Sequence, residues 1–352
     1  MKIKQLRECL SYDDVFLVPQ YSTICSRSHV SLKSYLDSSR YLEFPLIASP
    51  MDTVSEEEMA LRLSQLGSLA IIHRFMTIEK QSQIIQNLRN IQKTSILAAA
   101  VGVNRDYLER AIALEKSGVD LICIDVAHAD HLLMEVALSK LRNCLNPNIH
   151  IVAGTIATPE GFKRLSDNGA NSVRVGVAGG SICETKINTG SGMPVFQSIL
   201  DCQKFRKNSL KYANVKIIAD GGCKNAGDVV KALAAGSDFI IAGSLFAGTK
   251  ECPGNLIQDS SGKQFKIYRG MASKESQAEY KNNQYYSPEG IEILMPFRGS
   301  IIPIFETLTQ NIKSGFSYSN AYNIKELQNN AVFARQTYFG FSEGKAHIVN
   351  RI

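Results

Sequence analysis

The sequence predicts an α/β protein, specifically a TIM (β/α)8 barrel, and three observations lead there. Short apolar runs rich in β-branched residues recur along the 352-residue chain, each followed by a helical pattern. Eight such runs are present, and most begin about 23 to 29 residues apart, the length of one strand plus one crossover helix in a parallel βα unit. Most are continuously apolar rather than alternating, as strands covered on both faces are. A doubly wound open sheet is the alternative, but no dinucleotide-type glycine fingerprint follows the first run.

The runs begin near Pro45, Ser68, Ser95, Val119, Asn148, Ser172, Val215 and Phe239. Between them the apolar spacing predicts helices over 56–66, 78–88, 105–116, 132–141, 159–167 and 226–235. Thr158 followed by Pro159 reads as an N-cap with proline at the first helical position. Two stretches break the period, and the chemistry of such a barrel lies in the loops at the C-terminal ends of its strands. One, 178–193, follows the sixth run and carries Gly179, Gly180, Gly190 and Gly192. The other, 249–300, follows the eighth run and is polar and tyrosine-rich, as a functional lid is. The last fifty residues return to helical patterns at 302–312 and 324–329 and then run out in a polar tail. The expected organisation is one barrel domain over 1–352, with a catalytic loop at 178–193 and a lid at 273–300.

Composition narrows the function classes. With 44% hydrophobic and 20% charged residues, the chain has the balance of a globular protein with a large core, which excludes disorder and collagen-like structure. No run of 18 apolar residues and no signal-peptide core occur, so the expected address is the cytoplasm, with no membrane partner. Eight cysteines without a C-x-x-C pair argue for reduced thiols rather than disulfides or zinc. The net charge of +6 is spread without a basic run, which speaks against a nucleic-acid partner and suits a small anionic substrate.

Several residues carry candidate chemistry. Cys183 stands in the glycine-rich loop after the sixth strand, where flexible backbone, nearby N–H groups and Lys186 favour a nucleophilic thiolate; an inert small hydrophobe is the alternative. Asp220-Gly221-Gly222 and Gly243-Ser244 end the seventh and eighth strands, where glycines let backbone N–H groups approach a phosphate, unless they are simply tight connections. Asp220 beside them suits a ribose diol. Asp125 and His128 close the fourth strand, His73 and Arg74 the second, and Glu289 lies in the lid between Pro288 and Gly290.

These residues resemble the IMP dehydrogenase and GMP reductase family over nearly the whole chain. The carriers are Ser49-Pro50-Met51-Asp52-Thr53-Val54, Gly179 through Cys183, Asp220-Gly221-Gly222, Gly243-Ser244-Leu245-Phe246-Ala247-Gly248 and Tyr268-Arg269-Gly270-Met271, in family order and spacing. The resemblance implies a purine mononucleotide, GMP or IMP, at the barrel mouth, and attack by Cys183 on C2 of the base while hydride passes to or from a nicotinamide. It implies that Thr185 and Glu289 join Cys183 in catalysis. Ser49, Met51, Arg174, Ser181, Asp220, Gly221, Gly222, Gly243, Ser244, Tyr268 and Met271 would hold the nucleotide, with Glu289 also near the base. Asp125, Ala127, His128 and Thr155 would lie at the nicotinamide. Carbonyls of Ala178, Gly180 and Cys183 occupy the places that bind a monovalent cation, K+, in the dehydrogenases. The family also implies a homotetramer.

Among the family's reactions, the residues point to GMP reduction: deamination of GMP to IMP and ammonia with NADPH. The regulatory insertion usual in dehydrogenases after the second helix is absent, since 88–93 leads straight into the third strand. The lid lacks the Arg-Tyr pair whose arginine activates hydrolytic water in the dehydrogenases; between Met271 and Pro288 there is no arginine. Two alternatives remain, an NAD-dependent dehydrogenase in which Lys281 or a tyrosine replaces that base, and a non-catalytic nucleotide-binding relative. The chain departs from the family pattern at Ala178-Gly179, Glu184, Lys186, Ala129-Asp130 and Thr155, and its Ser49-Pro50-Met51 segment has the dehydrogenase form.

Overall fold

The computed structural model describes residues 6–274, 276 and 289–344. Eight parallel strands close on one another in a barrel. They are β1 (Leu46–Ala48), β2 (Leu69–Ile72), β3 (Ala98–Val101), β4 (Leu121–Asp125), β5 (His150–Ile156), β6 (Ser172–Val175), β7 (Lys216–Asp220) and β8 (Phe239–Ala242). Each pairs with the next, and β8 closes onto β1 with Ile241 opposite Ile47. The outer helices are α1 (Glu57–Gln65), α2 (Ile78–Ile91), α3 (Tyr107–Lys116), α4 (Leu132–Cys144), α5 (Pro159–Asp167), α6 (Val195–Lys207), α7 (Ala226–Ala235) and α8 (Ile301–Tyr318). The Thr158 hydroxyl accepts the Gly161 N–H at 3.1 Å, and the Thr77 hydroxyl caps α2 in the same way through the Lys80 N–H at 3.2 Å.

The unbroken apolar runs follow from burial on both faces. Ile47, Leu69, Ile71, Ala98, Ala100, Leu121, Cys123, Val152, Ile218, Phe239 and Ile241 fill the barrel interior, while the residues between them pack under the helices. A hairpin of Ser34–Tyr35 and Tyr41–Leu42 inserts Leu36 and Leu42 into that interior cluster, and the Ser34 hydroxyl donates to the Asp238 carbonyl just before β8. The N-terminal end is therefore plugged. At the other end the apolar filling gives way to Asp125, Arg174 and Asp220, so the polar chemistry is confined to one mouth.

Four features differ from the sequence expectation. Helix α6 has no apolar period because it buries Ser198, Gln203 and Arg206 beside its apolar residues. Arg206 lies under it, with hydrogen bonds to Gln203, Asp238 and two backbone carbonyls. Within 249–300 a three-stranded antiparallel sheet forms from Ile257–Gln258, Gln264–Arg269 and Glu292–Pro296, where the sequence suggested only a polar excursion. The tail is also anchored, because Phe333–Arg335 pairs with Val15–Leu17 and the helix Tyr338–Glu343 follows. α8 runs through Gly315 to Tyr318, beyond the expected 312; a Cβ at Gly315 would lie 2.7 Å from Val230 of α7. Glycine here serves helix packing rather than helix ending. No helix among the described residues is long and apolar enough to cross a membrane.

Phe239 is fully buried in the barrel interior. Phe239→Ala is expected to lower the unfolding free energy by about 3–5 kcal/mol, measured by chemical denaturation.

Candidate active site

At the C-terminal mouth a cavity of about 410 Å³ is lined by Ser49, Met51, Arg74, Asp125, Ala127, Thr155, Arg174, Ala178, Gly180, Cys183, Thr185, Asp220, Gly221, Gly243, Tyr268, Met271 and Glu289, among others. A second of about 250 Å³ adjoins it, lined by Ser181, Gly222, Lys224, Ser244 and several of the same glycines. Of the residues singled out from the sequence as nucleotide- or nicotinamide-facing, only His128 lines neither; it is exposed beyond β4. His73 is buried and pairs with Glu56 at 3.0 Å, which is a structural placement. Tyr280, Lys281, Tyr285 and Tyr286, and with them most of the expected lid, lie outside the described residues.

The loop after β6 is built by backbone contacts to distant segments. The Cys183 N–H donates to the Gly180 carbonyl at 3.2 Å, and a short helix, Thr185–Thr189, follows. The Glu184 N–H donates to the Glu289 carbonyl at 2.8 Å, and the Ile291 N–H to the Ile182 carbonyl at 3.2 Å. These bonds stitch the loop to the chain that returns from 273–288. They set three side chains in series: Cys183 Sγ lies 3.1 Å from Thr185 Oγ1, which donates to Glu289 Oε2 at 2.7 Å. The other seven cysteines stand outside this series, four of them buried.

Two glycines admit the close approaches this requires. Gly221, at φ +83°, would place a Cβ 2.8 Å from the carbonyl carbon of Gly179, against the loop that carries Cys183. A Cβ at Gly243 would fall 2.6 Å from the Tyr268 hydroxyl and 2.9 Å from the Met51 sulfur. Burial pushes the Tyr268 phenol up to about 12, so it remains a neutral hydrogen-bonding group. Asp52 pairs with Arg269 at 2.5 Å, and its N–H approaches the Met271 sulfur at 3.3 Å, which fixes the 49–54 loop against 269–271. Ala178 takes φ 60°, a left-handed conformation that suits glycine better, in the place where the family pattern has one.

The electrostatics centre on Arg174. Its Nε donates to Asp220 Oδ2 at 2.7 Å and its Nη1 to Asp125 Oδ1 at 2.5 Å. Burial pushes the Asp220 carboxyl up, against the pull of Arg174. For Arg174 burial acts downward, and the facing carboxylates outweigh it, so the guanidinium stays charged. Burial pushes the Cys123 thiol beneath it up to about 12, which leaves that cysteine neutral. Arg74, beyond β2, adds a second cation to the cavity wall, with its guanidinium 4.7 Å from the Phe75 ring centre. No group of three or more His, Cys, Asp or Glu among the described residues is arranged to hold a metal ion.

Fold and site together define a (β/α)8-barrel protein with a thiol, a hydroxyl and a carboxylate in series at its mouth, beside glycine turns that end two adjacent strands. The IMP dehydrogenase / GMP reductase domain matches residues 9–347, and the chain belongs to that family of oxidoreductases, which work with nicotinamide nucleotides. It is similar to the inosine-5'-monophosphate dehydrogenase of Borreliella burgdorferi, at 33% identity over 407 aligned positions that cover 99% of each chain. It is also similar to the GMP reductase of Leishmania major, at 28% identity over 489 positions covering 99% of this chain and 98% of that one. Among solved structures, a cysteine-to-alanine variant of GMP reductase from Trypanosoma brucei in complex with guanosine 5'-monophosphate matches with a TM-score of 0.89 and 26% identity, covering 98% of this chain and 99% of that one. The alignment to the Leishmania reductase exceeds the 352 residues of this chain, so a shorter length does not by itself separate reductases from dehydrogenases.

Gly221→Ala combines a left-handed backbone with the clash against Gly179, and is expected to cost about 1–3 kcal/mol, measured by denaturant unfolding. The same variant should change the alkylation rate of Cys183, followed by mass spectrometry of the labelled peptide.

Proposed function

We propose that this protein is a GMP reductase, converting GMP to IMP and ammonia with NADPH through a covalent intermediate on Cys183. The observation that carries the reading is the unbroken series Cys183 Sγ, Thr185 Oγ1 and Glu289 Oε2, at 3.1 and 2.7 Å. Because the threonine hydroxyl donates to Glu289, its oxygen is free to accept from the thiol, and a proton passes from sulfur through Thr185 to the carboxylate. The thiolate attacks C2 of the base. Glu289 then returns the proton through Thr185 to the departing amino group, which leaves as ammonia. Bound NADPH supplies the hydride that C2 takes up. Expulsion of the Cys183 thiolate yields IMP, and a proton from solvent restores the thiol. One proton and one hydride thus balance the exchange of the amino group for hydrogen.

The rest of the mouth supplies binding. The second cavity, between the turns that end β7 and β8 and bordered by Ser181 and Lys224, suits the phosphate. Asp220 suits the ribose diol, and Met51 and Met271 the faces of the base. On the nicotinamide side lie Asp125, Ala127 and Thr155, whose hydroxyl donates to the Ala127 carbonyl at 2.8 Å and so shapes that wall. No arginine occurs between Met271 and Pro288 to activate water against the intermediate, which favours reduction over hydrolysis.

A second reading, an NAD-dependent IMP dehydrogenase that forms XMP, draws on the dehydrogenase-like Ser49-Pro50-Met51 segment. It requires Lys281 or a lid tyrosine as the base. A K+ site belongs to that reading; of its three carbonyls, that of Gly180 already accepts the Cys183 N–H at 3.2 Å. The family resemblance further brings a homotetramer in the cytoplasm.

Absorbance at the reduced-nicotinamide band tests the two readings. GMP with NADPH should lose signal, whereas IMP with NAD should stay silent; growth with IMP would establish the dehydrogenase, and silence in both a non-catalytic relative. Cys183→Ala should abolish turnover while GMP binding by calorimetry persists. Glu289→Gln should lower kcat about a hundredfold to ten-thousandfold, and an unaffected rate would remove the relay from the mechanism.

A further inference from the structure

Arg174 was expected to hold the nucleotide, and all three nitrogens of its guanidinium already have side-chain partners. Nε and Nη2 both lie 2.7 Å from Asp220 Oδ2, while Nη1 reaches Asp125 Oδ1 at 2.5 Å and Cys123 Sγ at 3.4 Å. Its side chain is 6% exposed, against 16% for Asp125 and 14% for Asp220, so a ligand in the cavity meets the carboxylates first.

The backbone makes room for this arrangement. Asp125 on β4, Gly154 on β5 and Arg174 on β6 are in register across three adjacent strands. A Cβ at Gly154 would overlap the Cβ of Arg174. With glycine there, the arginine crosses over β5 to a carboxylate two strands away while also facing β7. One cation then serves two partly buried carboxylates, neither of which has another cationic partner within salt-bridge distance among the described residues.

We propose that Arg174 is a positioning residue, a strut across the Gly154 gap that aims Asp220 and Asp125 and thereby couples the two halves of the cavity. The proposal deepens the functional reading and rests on it, since that reading places the mononucleotide at Asp220 and the nicotinamide at Asp125. A planar guanidinium holds two carboxylates on separate edges, which a point charge does not. A ligand that draws on one carboxylate alters the hold of Arg174 on the other, and the effect is reciprocal.

A double-mutant cycle on GMP affinity, read by calorimetry, tests the strut. With Arg174 present, Asp125→Asn is expected to weaken GMP binding about tenfold, although Asp125 faces the other half of the cavity. In an Arg174→Met background the same change should move the Kd less than about twofold. A purely structural role for Arg174 would leave the Asp125 effect equal in the two backgrounds, and that result overturns the proposal, as does an Asp125→Asn variant with unaltered GMP affinity. Should Arg174→Met fail to fold by circular dichroism, Arg174→Lys takes its place, and the Asp125 effect should fall to less than half its logarithmic size; an undiminished effect overturns the strut. The wild-type protein is titrated first. If it binds neither GMP nor IMP, the functional reading falls and the strut with it, whereas binding without coupling defeats the strut alone.

Discussion

The candidate site depends on a close three-way meeting of backbones at the barrel mouth. The loop that carries Cys183 lies between the turn after β7 and the chain that returns from the 273–288 segment, with a close contact on each side, the first of which requires glycine. Gly221 faces Gly179 on one side; on the other, a Cβ at Gly290 would come within 3.3 Å of Gly270. Because the bonds between 182–184 and 289–291 are backbone bonds, they fix the relative places of Thr185 and Glu289 without engaging the reactive side chains. The proposed proton relay needs donor and acceptor held at hydrogen-bond distance, and main-chain pairing provides that constraint.

Around this clamp the barrel separates apolar and polar work along its axis. Aliphatic side chains and the Leu36 and Leu42 plug fill the lower interior, so charge appears only in the top layer. There a buried guanidinium and two carboxylates would each be costly alone, and are tolerable because they pair. Their formal sum is one negative charge, and positive charge reaches the mouth from Lys224 beside the glycine turns and from Arg74 in the wall of the first cavity. Lys224 itself pairs with Asp13 at 2.7 Å, so part of its charge is already committed.

Much of the barrel was legible because its strands lie under helices on one face and in a packed interior on the other, which leaves a continuous apolar run in the sequence. Where burial is satisfied by polar groups, the pattern fails. Helix α6 is not legible in the sequence because Gln203 and Arg206 turn inward, Arg206 donating to Gln203, Asp238 and two backbone carbonyls. The strand Gln264–Arg269 was missed because it buries Lys266, whose ammonium is satisfied by the carbonyls of Lys250 and Cys252. The candidate nucleophile, the glycine turns and Asp220 were visible as residue types at strand ends. The occupation of Arg174 by two carboxylates was not, since nothing local announces a side chain that crosses a neighbouring strand.

The sequence by itself determined the barrel, the face that carries chemistry and the place of Cys183 in a glycine-rich loop, because periodicity and turn residues are local properties; Thr185 and Glu289 came only with the family resemblance. The tertiary structure supplied the geometry that joins them, with Glu289, 104 residues beyond Thr185, accepting its hydroxyl at 2.7 Å. It also placed His128 outside the cavity and Arg174 between two acids. Those outcomes depend on which strands become neighbours when the sheet closes, and on which glycines let their backbones and side chains meet.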